Sequence, residues 1–137
     1  MVETVEFELV SPERLLKSEP VEMVVVPGAE GDLGILPGHS LLIATMRPGV
    51  IDIHKEGVVI EKIFISGGFA EVSPERCTVL AEEAIPVEHI KKEEAENRLK
   101  IANEMLKNAI SNSQDDTSIV EKEVKTAEAM VSAIPKT

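Results

Sequence analysis

The sequence predicts an α+β fold, in which an N-terminal antiparallel β-sandwich at residues 1–86 is followed by a C-terminal α-helical hairpin at residues 87–137. All eight glycines and seven of the eight prolines lie at or before Pro86, and these residue types end short strands but interrupt helices. Apolar residues alternate with polar ones before Pro86, which is the period of a strand, and recur at steps of three and four after it, which is the period of a helix. Both observations place the boundary at the same point.

Short strands are predicted throughout the first part. Val5, Phe7 and Leu9 alternate with glutamates and predict the first strand. A second is predicted at residues 21–26, a run rich in β-branched residues that a Pro-Gly dipeptide ends. Further strands are predicted between other turn-forming residues, at 41–46, 50–54, 58–65, 69–72 and 77–81. Many short strands at close spacing favour a sandwich or barrel.

Two helices are predicted in the second part, at about residues 90–111 and 118–134, with a polar break at 111–117. Ser118 and Glu121 form a predicted capping box at the start of the second helix. The short connection predicts an antiparallel hairpin. Each helix carries an apolar stripe, formed by Ala95, Leu99, Ala102, Leu106 and Ala109 in the first and by Val120, Val124, Ala127, Val131 and Ile134 in the second.

The stripes are rich in small side chains, so burying them stabilises the hairpin by only about 1 kcal/mol per position. Ordering the backbone costs about 1–2 kcal/mol per residue before hydrogen bonds compensate, so the isolated hairpin is marginal. The sequence leaves two interpretations open: a static appendage, or a hairpin that detaches and extends onto another surface.

Charge and composition exclude several classes of function. The chain has 14 basic and 25 acidic residues, a net charge of −11, which argues against sequence-independent nucleic-acid binding. Aromatic residues make up only 2%, so stacking platforms for bases or sugars are not expected. The hydrophobic content of 43% is enough for a packed core. We therefore expect an interaction protein rather than an enzyme.

Targeting and redox signals point to a reduced, cytoplasmic setting. The acidic N-terminus lacks the apolar core of a signal peptide, and no apolar run reaches the ~20 residues that cross a bilayer. We expect membrane association only through a partner. Cys77 is the one cysteine and lies in a predicted strand, which predicts an inert buried thiol.

The segment at residues 27–39 holds four glycines and two prolines, which predict a tightly turned loop. It lacks the lysine of a phosphate-binding loop and the spaced ligands of a calcium loop. Its predicted apolar tip suggests a contact edge for another protein, although a rigid loop without a partner remains the alternative. The residues concerned are Leu33, Ile35 and Leu36, flanked by Glu30 and Asp32.

Catalytic and metal chemistry find no support in the sequence. His39, His54 and His89 are too scattered to predict a metal site, and His39 is more typical of a capping or packing residue than of a titrating interface group. The paired carboxylates at 82–83 and 93–94 lie in solvated runs without the pattern of an acid–base dyad. No cofactor is expected.

Four motifs in the first part have a specific order and spacing. They read PGAEGDLGILPGH at residues 27–39, RPGVI at 47–51, SGGFAEV at 66–72 and TVLA at 78–81. Together with the helical tail, they resemble the epsilon subunit of the F-type (F1Fo) ATP synthase over nearly the whole chain. The resemblance implies a ten-stranded sandwich and two helices. It also implies a non-catalytic subunit of the central-stalk rotor, which links the gamma subunit to the c-ring and couples ion flow to ATP synthesis.

The resemblance also implies partners and contact residues. The c-ring would contact the loop, with Asp32 as the acidic contact point, and the catalytic head of alpha and beta subunits is a further implied partner through the C-terminal helices. The implied location is peripheral, at the cytoplasmic face of the bacterial inner membrane. The implied c-ring contacts are Glu30, Asp32, Leu33, Ile35 and Leu36, and the implied gamma contacts are Ser11, His39, Ser40 and Leu42.

The tail departs from the family in two ways. Some members bind ATP through Ile-Asp-x-x-Arg-Ala, whereas here Lys91 and Glu94 replace the Asp and the Arg between Ile90 and Ala95. We therefore expect weak or absent ATP binding. In many relatives a basic second helix inhibits ATP hydrolysis, whereas here Lys122, Lys125 and Lys136 are offset by Glu121, Glu123 and Glu128. We therefore expect feeble electrostatic inhibition, and docking through apolar contacts stays open as the alternative.

Two other classes of function stay open at this point. The runner-up is a free-standing regulatory module that senses a small ligand between the sandwich and the hairpin. A hydrolase is a distant third, because the sequence shows no nucleophile–base pattern.

Overall fold

A computed structural model describes residues 3–113 and 116–135. The described part of the chain forms ten strands, a 3-10 turn at Val87–His89 and two helices, α1 (Lys92–Ser111) and α2 (Ser118–Ala133). The strands are β1 (Val5–Val10), β2 (Leu15–Val21), β3 (Met23–Gly28), β4 (Gly31–Ile35), β5 (Leu42–Met46), β6 (Gly49–Lys55), β7 (Val58–Ile65), β8 (Gly68–Val72), β9 (Arg76–Ala81) and β10 (Ala84–Pro86).

The strands form two layers joined at one point. The first layer contains β4, β3, β6, β7 and β10, and the second contains β5, β8, β9, β1 and β2. Between β3 and β5 the ladder consists of one residue pair, Gly28 with Met46. Neighbouring strands are antiparallel except for β1 and β9, which pair in parallel. The predicted sandwich is therefore confirmed, with one parallel pair that the sequence did not predict.

The core lies between the layers and has contributions from both. Alternation in β1 buries Val5, Phe7 and Leu9 and turns the intervening residues outward. The largest fully buried side chains of the core also include Ile35, Ile51, Ile53 and Ile65. The open sides of the layers are bridged by ion pairs, from Lys17 Nζ on β2 to Glu61 on β7 at 2.7 Å and from Lys55 Nζ on β6 to Glu19 on β2 at 3.6 Å.

The helical hairpin packs on the outer face of the first layer. The register places Val50 and Ile85 on either side of Phe64. Phe64 is fully buried in a second apolar cluster with Val87, Ala95 and Met130. The two helices also pack together through Ala102, Val124 and Ala127. The apolar side chains of the two helices therefore pack partly against the sheet and partly against the other helix.

Three strands and one helix cap differ from expectation. β2, which contains Pro20, lies mostly before residue 21, where no strand was predicted, and β4, which contains two glycines, lies in the segment that was predicted as a loop. β10 is only three residues long. The capping box at Ser118 was wrong: Thr117 is the N-cap of α2, and its hydroxyl donates to the Glu121 carboxylate at 3.0 Å.

Some expectations fall on residues that the structure does not describe. Gln114 and Asp115 belong to the predicted polar break, and Lys136 was counted among the lysines of the second helix. Met1 and Val2 belong to the acidic N-terminus.

Candidate functional site

The β3–β4 hairpin has its turn at one end of the sandwich. Its two strands pair from Val24 with Ile35 to Gly28 with Gly31, so the turn consists of Ala29 and Glu30. A Cβ at Gly28 would lie 2.5 Å from the carbonyl oxygen of Gly31, so only glycine allows the strands to approach this closely. The glycines that predicted a loop therefore build a tight hairpin.

Arg47, in the connection between β5 and β6, holds this hairpin at two points. Its Nη1 donates to the Gly28 carbonyl oxygen at 2.5 Å, and its Nη2 donates to Asp32 Oδ1 at 2.6 Å. The Arg47 backbone amide also donates to the Pro27 carbonyl oxygen at 2.9 Å. Asp32 thus has a cationic partner within its own chain, which the sequence did not reveal because 15 residues separate the two.

The predicted apolar tip is only partly exposed. Glu30, Asp32 and Leu36 are exposed, and Leu33 is half-buried against the core. Ile35 is fully buried in the core, so its expected role in a contact surface is wrong. The alternation of β4 explains this, because Leu33 and Ile35 both point toward the sheet interior and the residues between them point away.

A second surface is the outer face of the second layer. The register aligns Thr45, Phe69, Leu80, Val10 and Leu15 in one row across five strands. In this row Phe69 is 56% exposed, Leu80 51% and Leu15 53%, and Ile43 beside it is 75% exposed. We call the surface formed by these four exposed side chains, Leu15, Ile43, Phe69 and Leu80, the outer apolar face. Among the described residues, no helix covers it, in contrast to the outer face of the first layer.

The predicted gamma contacts lie around this face. Ser40 is exposed, His39 is half-buried and donates through Nδ1 to the Ser40 carbonyl oxygen at 2.8 Å, and Ser11 is half-buried and hydrogen-bonds with the backbone of Arg14. Leu42 instead turns inward and packs against the core. Its neighbours Leu41 and Ile43 are the exposed side chains, which sequence reasoning missed because all three residues are apolar and show no alternation.

The residues that replace the ATP motif lie at the start of α1. Lys91 is the N-cap and forms no side-chain capping hydrogen bond within the described chain, and its Nζ lies 4.0 Å from Glu94. Ile90 is half-buried and Ala95 is buried against the sheet. The structure therefore presents a carboxylate at the position where the motif has its arginine.

One turn beyond, Arg98 joins three elements. Its Nε donates to Glu123 on α2 at 2.7 Å, and its Nη1 and Nη2 donate to both oxygens of Glu83, between β9 and β10, at 3.0 and 2.9 Å. The hydrogen bonds that Arg98 donates, chiefly to Glu123 and then to Glu83, raise the pKa of Arg98, and the same bond to Glu123 lowers the pKa of Glu123. We call this set the Arg98 bridge. Sequence reasoning did not find it.

The described residues contain no cluster of three or more His, Cys, Asp or Glu side chains able to hold a metal ion. Neither helix there has the length and apolar character that crossing a membrane requires. Burial raises the pKa of Cys77 to about 12, as predicted for an inert thiol.

Comparisons with known proteins agree with the fold. The family model of the ATP synthase Delta/Epsilon chain beta-sandwich domain matches residues 4–87. The ATP synthase epsilon chain of Rhodospirillum rubrum is 51% identical over 133 residues, covering 97% of this chain and 98% of its own. That of Paramagnetospirillum magneticum is 54% identical over 134 residues, covering 98% and 99%.

Solved structures give the same result. A chain in the Euglena gracilis mitochondrial ATP synthase, determined with OSCP, F1 and the c-ring, is 25% identical with a TM-score of 0.77, covering 95% of this chain and 81% of that one. A chain of the Tetrahymena thermophila central stalk and c-ring shares the fold at a TM-score of 0.52 and 15% identity, covering 62% and 68%. These matches do not favour a free-standing ligand sensor. This chain belongs to the family of ATP synthase epsilon chains.

Proposed function

We propose that the chain is a non-catalytic subunit of the central-stalk rotor of an F-type ATP synthase, where it links gamma to the c-ring and couples ion flow to ATP synthesis. The observation that carries this proposal is the similarity to epsilon chains over 97% of the sequence. A two-layered sandwich with a packed core also suits a part that transmits torque, because its strands are tied by backbone hydrogen bonds.

The β3–β4 hairpin is the proposed contact with the c-ring. Its turn lies at the end of the sandwich, and the exposed side chains there combine charge with one large apolar group. The proposed contact set is Glu30, Asp32, Leu33 and Leu36, without the buried Ile35.

The outer apolar face is the proposed seat of gamma. Exposed apolar side chains on four strands of the second layer favour a partner that buries them; they are Ile43, Phe69, Leu80 and Leu15. Ser11, His39 and Ser40 lie around this face and belong to the proposed contact, while Leu42 supports it from inside.

The helical hairpin is the proposed regulatory part. We treat residues 1–86 and 87–137 as two domains, because the sandwich core draws only on residues before Val87. The α/β catalytic head is the proposed further partner of the hairpin. The charges of Lys122 and Lys125 are offset by neighbouring glutamates, so inhibition of ATP hydrolysis by the hairpin is proposed to be weak.

ATP binding is expected to be undetectable at micromolar concentrations. Glu94 would repel the phosphates, and Lys91 provides no capping carboxylate. Isothermal titration calorimetry of ATP into the full chain checks this, with Glu94→Arg as the comparison variant. Micromolar affinity in the unaltered chain would contradict the prediction.

The complex to which such a chain belongs is membrane-associated, and we propose that this chain lies peripherally at the cytoplasmic face of the bacterial inner membrane. Its contact with the membrane would be indirect, through the c-ring.

Cysteine cross-linking in the assembled ATP synthase tests the two contacts. Glu30→Cys should cross-link to the c-ring and Ile43→Cys to gamma, while the native Cys77 is buried and remains silent. Val58→Cys is a matched control, because Val58 is 59% exposed and lies at the opposite end of the sandwich from the hairpin tip. Failure of the chain to co-purify with gamma would overturn the proposed function.

A further inference from the structure

The Arg47 side chain contacts the proposed ring-binding hairpin from outside that hairpin. It lies between β5 and β6, at the same end of the sandwich as the tip of the β3–β4 hairpin. Its side chain reaches Gly28 on β3 and Asp32 on β4, so one guanidinium contacts both strands of the hairpin from a third segment. The β3–β5 ladder there consists of the Gly28–Met46 pair, flanked by backbone hydrogen bonds from the Ala29 amide to the Thr45 carbonyl oxygen and from the Arg47 amide to the Pro27 carbonyl oxygen, and the Arg47 side chain adds two more hydrogen bonds to this short junction.

The chemistry of this contact requires an arginine. A planar guanidinium offers N–H donors in a fixed fork, which allows one group to reach a backbone carbonyl and a carboxylate together. A lysine ammonium carries the same charge but is a flexible point donor, so it does not define the direction between the two acceptors. Replacing Arg47 by lysine therefore keeps the positive charge but removes the directed hydrogen bonds, so the two contributions can be measured separately.

The contact also changes the charge that the hairpin presents. Glu30 and Asp32 are both exposed acids near the tip, and Arg47 neutralises one of them. The side chains of Arg47 and Asp32 are 43% and 62% exposed, so solvent screens their attraction and the pair adds little to the stability of the free chain. An interface that covers the pair removes this screening, and the interaction then strengthens.

We propose that Arg47 is a positioning residue for the ring contact, which fixes the β3–β4 hairpin and sets the direction of the Asp32 carboxylate. This inference rests on the proposed function, in which the hairpin faces the c-ring. It assigns Asp32 a different role from a free acidic contact, because the partner meets an Arg47–Asp32 pair and a Glu30 carboxylate that pairs with no cation among the described residues.

The test uses the ATP synthase assembled with variant full-length chains and reconstituted into vesicles. The measurements are the binding of the c-ring to the gamma-bound chain, ATP synthesis driven by an ion gradient, and ATP hydrolysis by the ring-free head. Arg47→Ala should weaken ring binding by at least about fivefold and lower synthesis, with hydrolysis unchanged. The midpoint of thermal unfolding of the free chain should shift by less than about 3 °C.

Three further variants separate orientation from charge and from general surface effects. Arg47→Lys should recover only part of the ring binding, and Arg47→Ala combined with Asp32→Ala should be no worse than the more severe single change. Lys62→Ala is the control, because Lys62 Nζ forms a similarly exposed ion pair with Asp52 at 3.0 Å on another strand pair. This control should match the unaltered chain.

The outcomes distinguish this inference from the function on which it rests. Full recovery by Arg47→Lys would mean that charge alone matters, and ring binding by Arg47→Ala equal to that by Lys62→Ala would mean that the residue has no role; either result overturns the positioning role and leaves the proposed function intact. An unaltered chain that binds gamma but not the ring would overturn both.

Discussion

At the scale of single residues, Cys77 illustrates how burial controls reactivity. Its side chain is fully buried, and desolvation of the thiolate raises the pKa of the thiol to about 12. Because the thiolate is the reactive form, alkylation of the native chain at pH 8 should be at least ~100-fold slower than that of a free cysteine, and should rise with pH only in strongly alkaline solution. Iodoacetamide labelling followed by mass spectrometry measures this rate. Rapid labelling of the folded chain would contradict the assigned burial.

Gly68 is a position where the backbone excludes any other residue. Its φ angle is +140°, and a Cβ would overlap the carbonyl oxygen of Leu80 on the paired strand. Gly68→Ala should therefore lower the free energy of unfolding by about 3 kcal/mol or more, as measured by chemical denaturation.

The matched control for Gly68 is Gly57→Ala in the β6–β7 turn. Gly57 also has a positive φ, +77°, but its Cβ would meet nothing within 4 Å. This change should cost only about 1–2 kcal/mol, the penalty of the left-handed backbone alone. Equal effects of the two substitutions would show that the overlap at Gly68 relaxes without cost.

Residue identity predicted some side-chain environments and not others. The burial of Cys77 followed from its strand context, and the missing cap at Lys91 followed from its side chain. The pairing of Asp32 with Arg47 depends on how the sheet bends between β3 and β5, which local sequence does not encode.

At the scale of elements, the Arg98 bridge fastens the helical hairpin to the sandwich. Arg98→Ala should loosen the hairpin and lower the free energy of unfolding by about 1–2 kcal/mol, because Glu83 and Glu123 lose their charged donor. Hydrogen exchange of α1 and α2 should increase while that of the sandwich stays unchanged. Arg98→Lys keeps the positive charge but loses the forked geometry of the guanidinium. Its free energy of unfolding should therefore lie between those of the unaltered chain and Arg98→Ala.

The pH dependence of the same bridge follows from Glu123. The Arg98 hydrogen bond lowers the pKa of Glu123 in the folded state, so the bridge contributes fully at neutral pH and above the ordinary glutamate pKa. Its contribution is lost as pH falls below that ordinary value and through the lowered one. The difference between the unaltered chain and Arg98→Ala should therefore shrink in acid. A difference that stays constant in acid would assign the effect to lost packing rather than to the ion pair.

Strong periodicity predicted the elements that carry it. β1 and both helices have clear apolar patterns, and the structure contains all three. β4 was not predicted, because its two glycines have low strand propensity, yet pairing with β3 stabilises it. The capping box at Ser118 failed for a related reason, since the helix boundary depends on the connection before it, where Asp116 accepts a hydrogen bond from the Ser118 amide at 2.9 Å.

At the scale of the whole molecule, the sandwich should fold without the hairpin. Its core cluster involves only residues from Val5 to Ala84, so a chain ending at Pro86 retains all of it. This truncated chain should show a β-type circular dichroism spectrum and cooperative thermal unfolding. In the reconstituted catalytic head it should change ATP hydrolysis by less than about twofold relative to the full chain, because the hairpin charges are balanced.

Truncation at Pro86 should also expose an apolar surface of the sandwich, and its effect on self-association can be measured. Removing the hairpin exposes Phe64, which the helices bury completely, together with its neighbours Val50 and Ile85. The truncated chain should self-associate at high concentration, and Phe64→Ser in that chain should restore the monomer, as measured by sedimentation.

The hydrolysis measurement tests the charge argument separately. If truncation strongly activated ATP hydrolysis, this result would refute the argument that balanced charges prevent inhibition by the hairpin.

The layered architecture has a mechanical consequence. Within the described residues the strand ladder joins the layers at one pair, Gly28 with Met46, and ion pairs from Lys17 and Lys55 span the other side. A shear force that enters through the β3–β4 hairpin on one layer and leaves through the outer apolar face on the other must therefore cross the interdigitated core side chains. The stiffness of the molecule in that direction depends on how densely its interior is filled, and a single methyl-sized void there would soften it more than any loss at the surface.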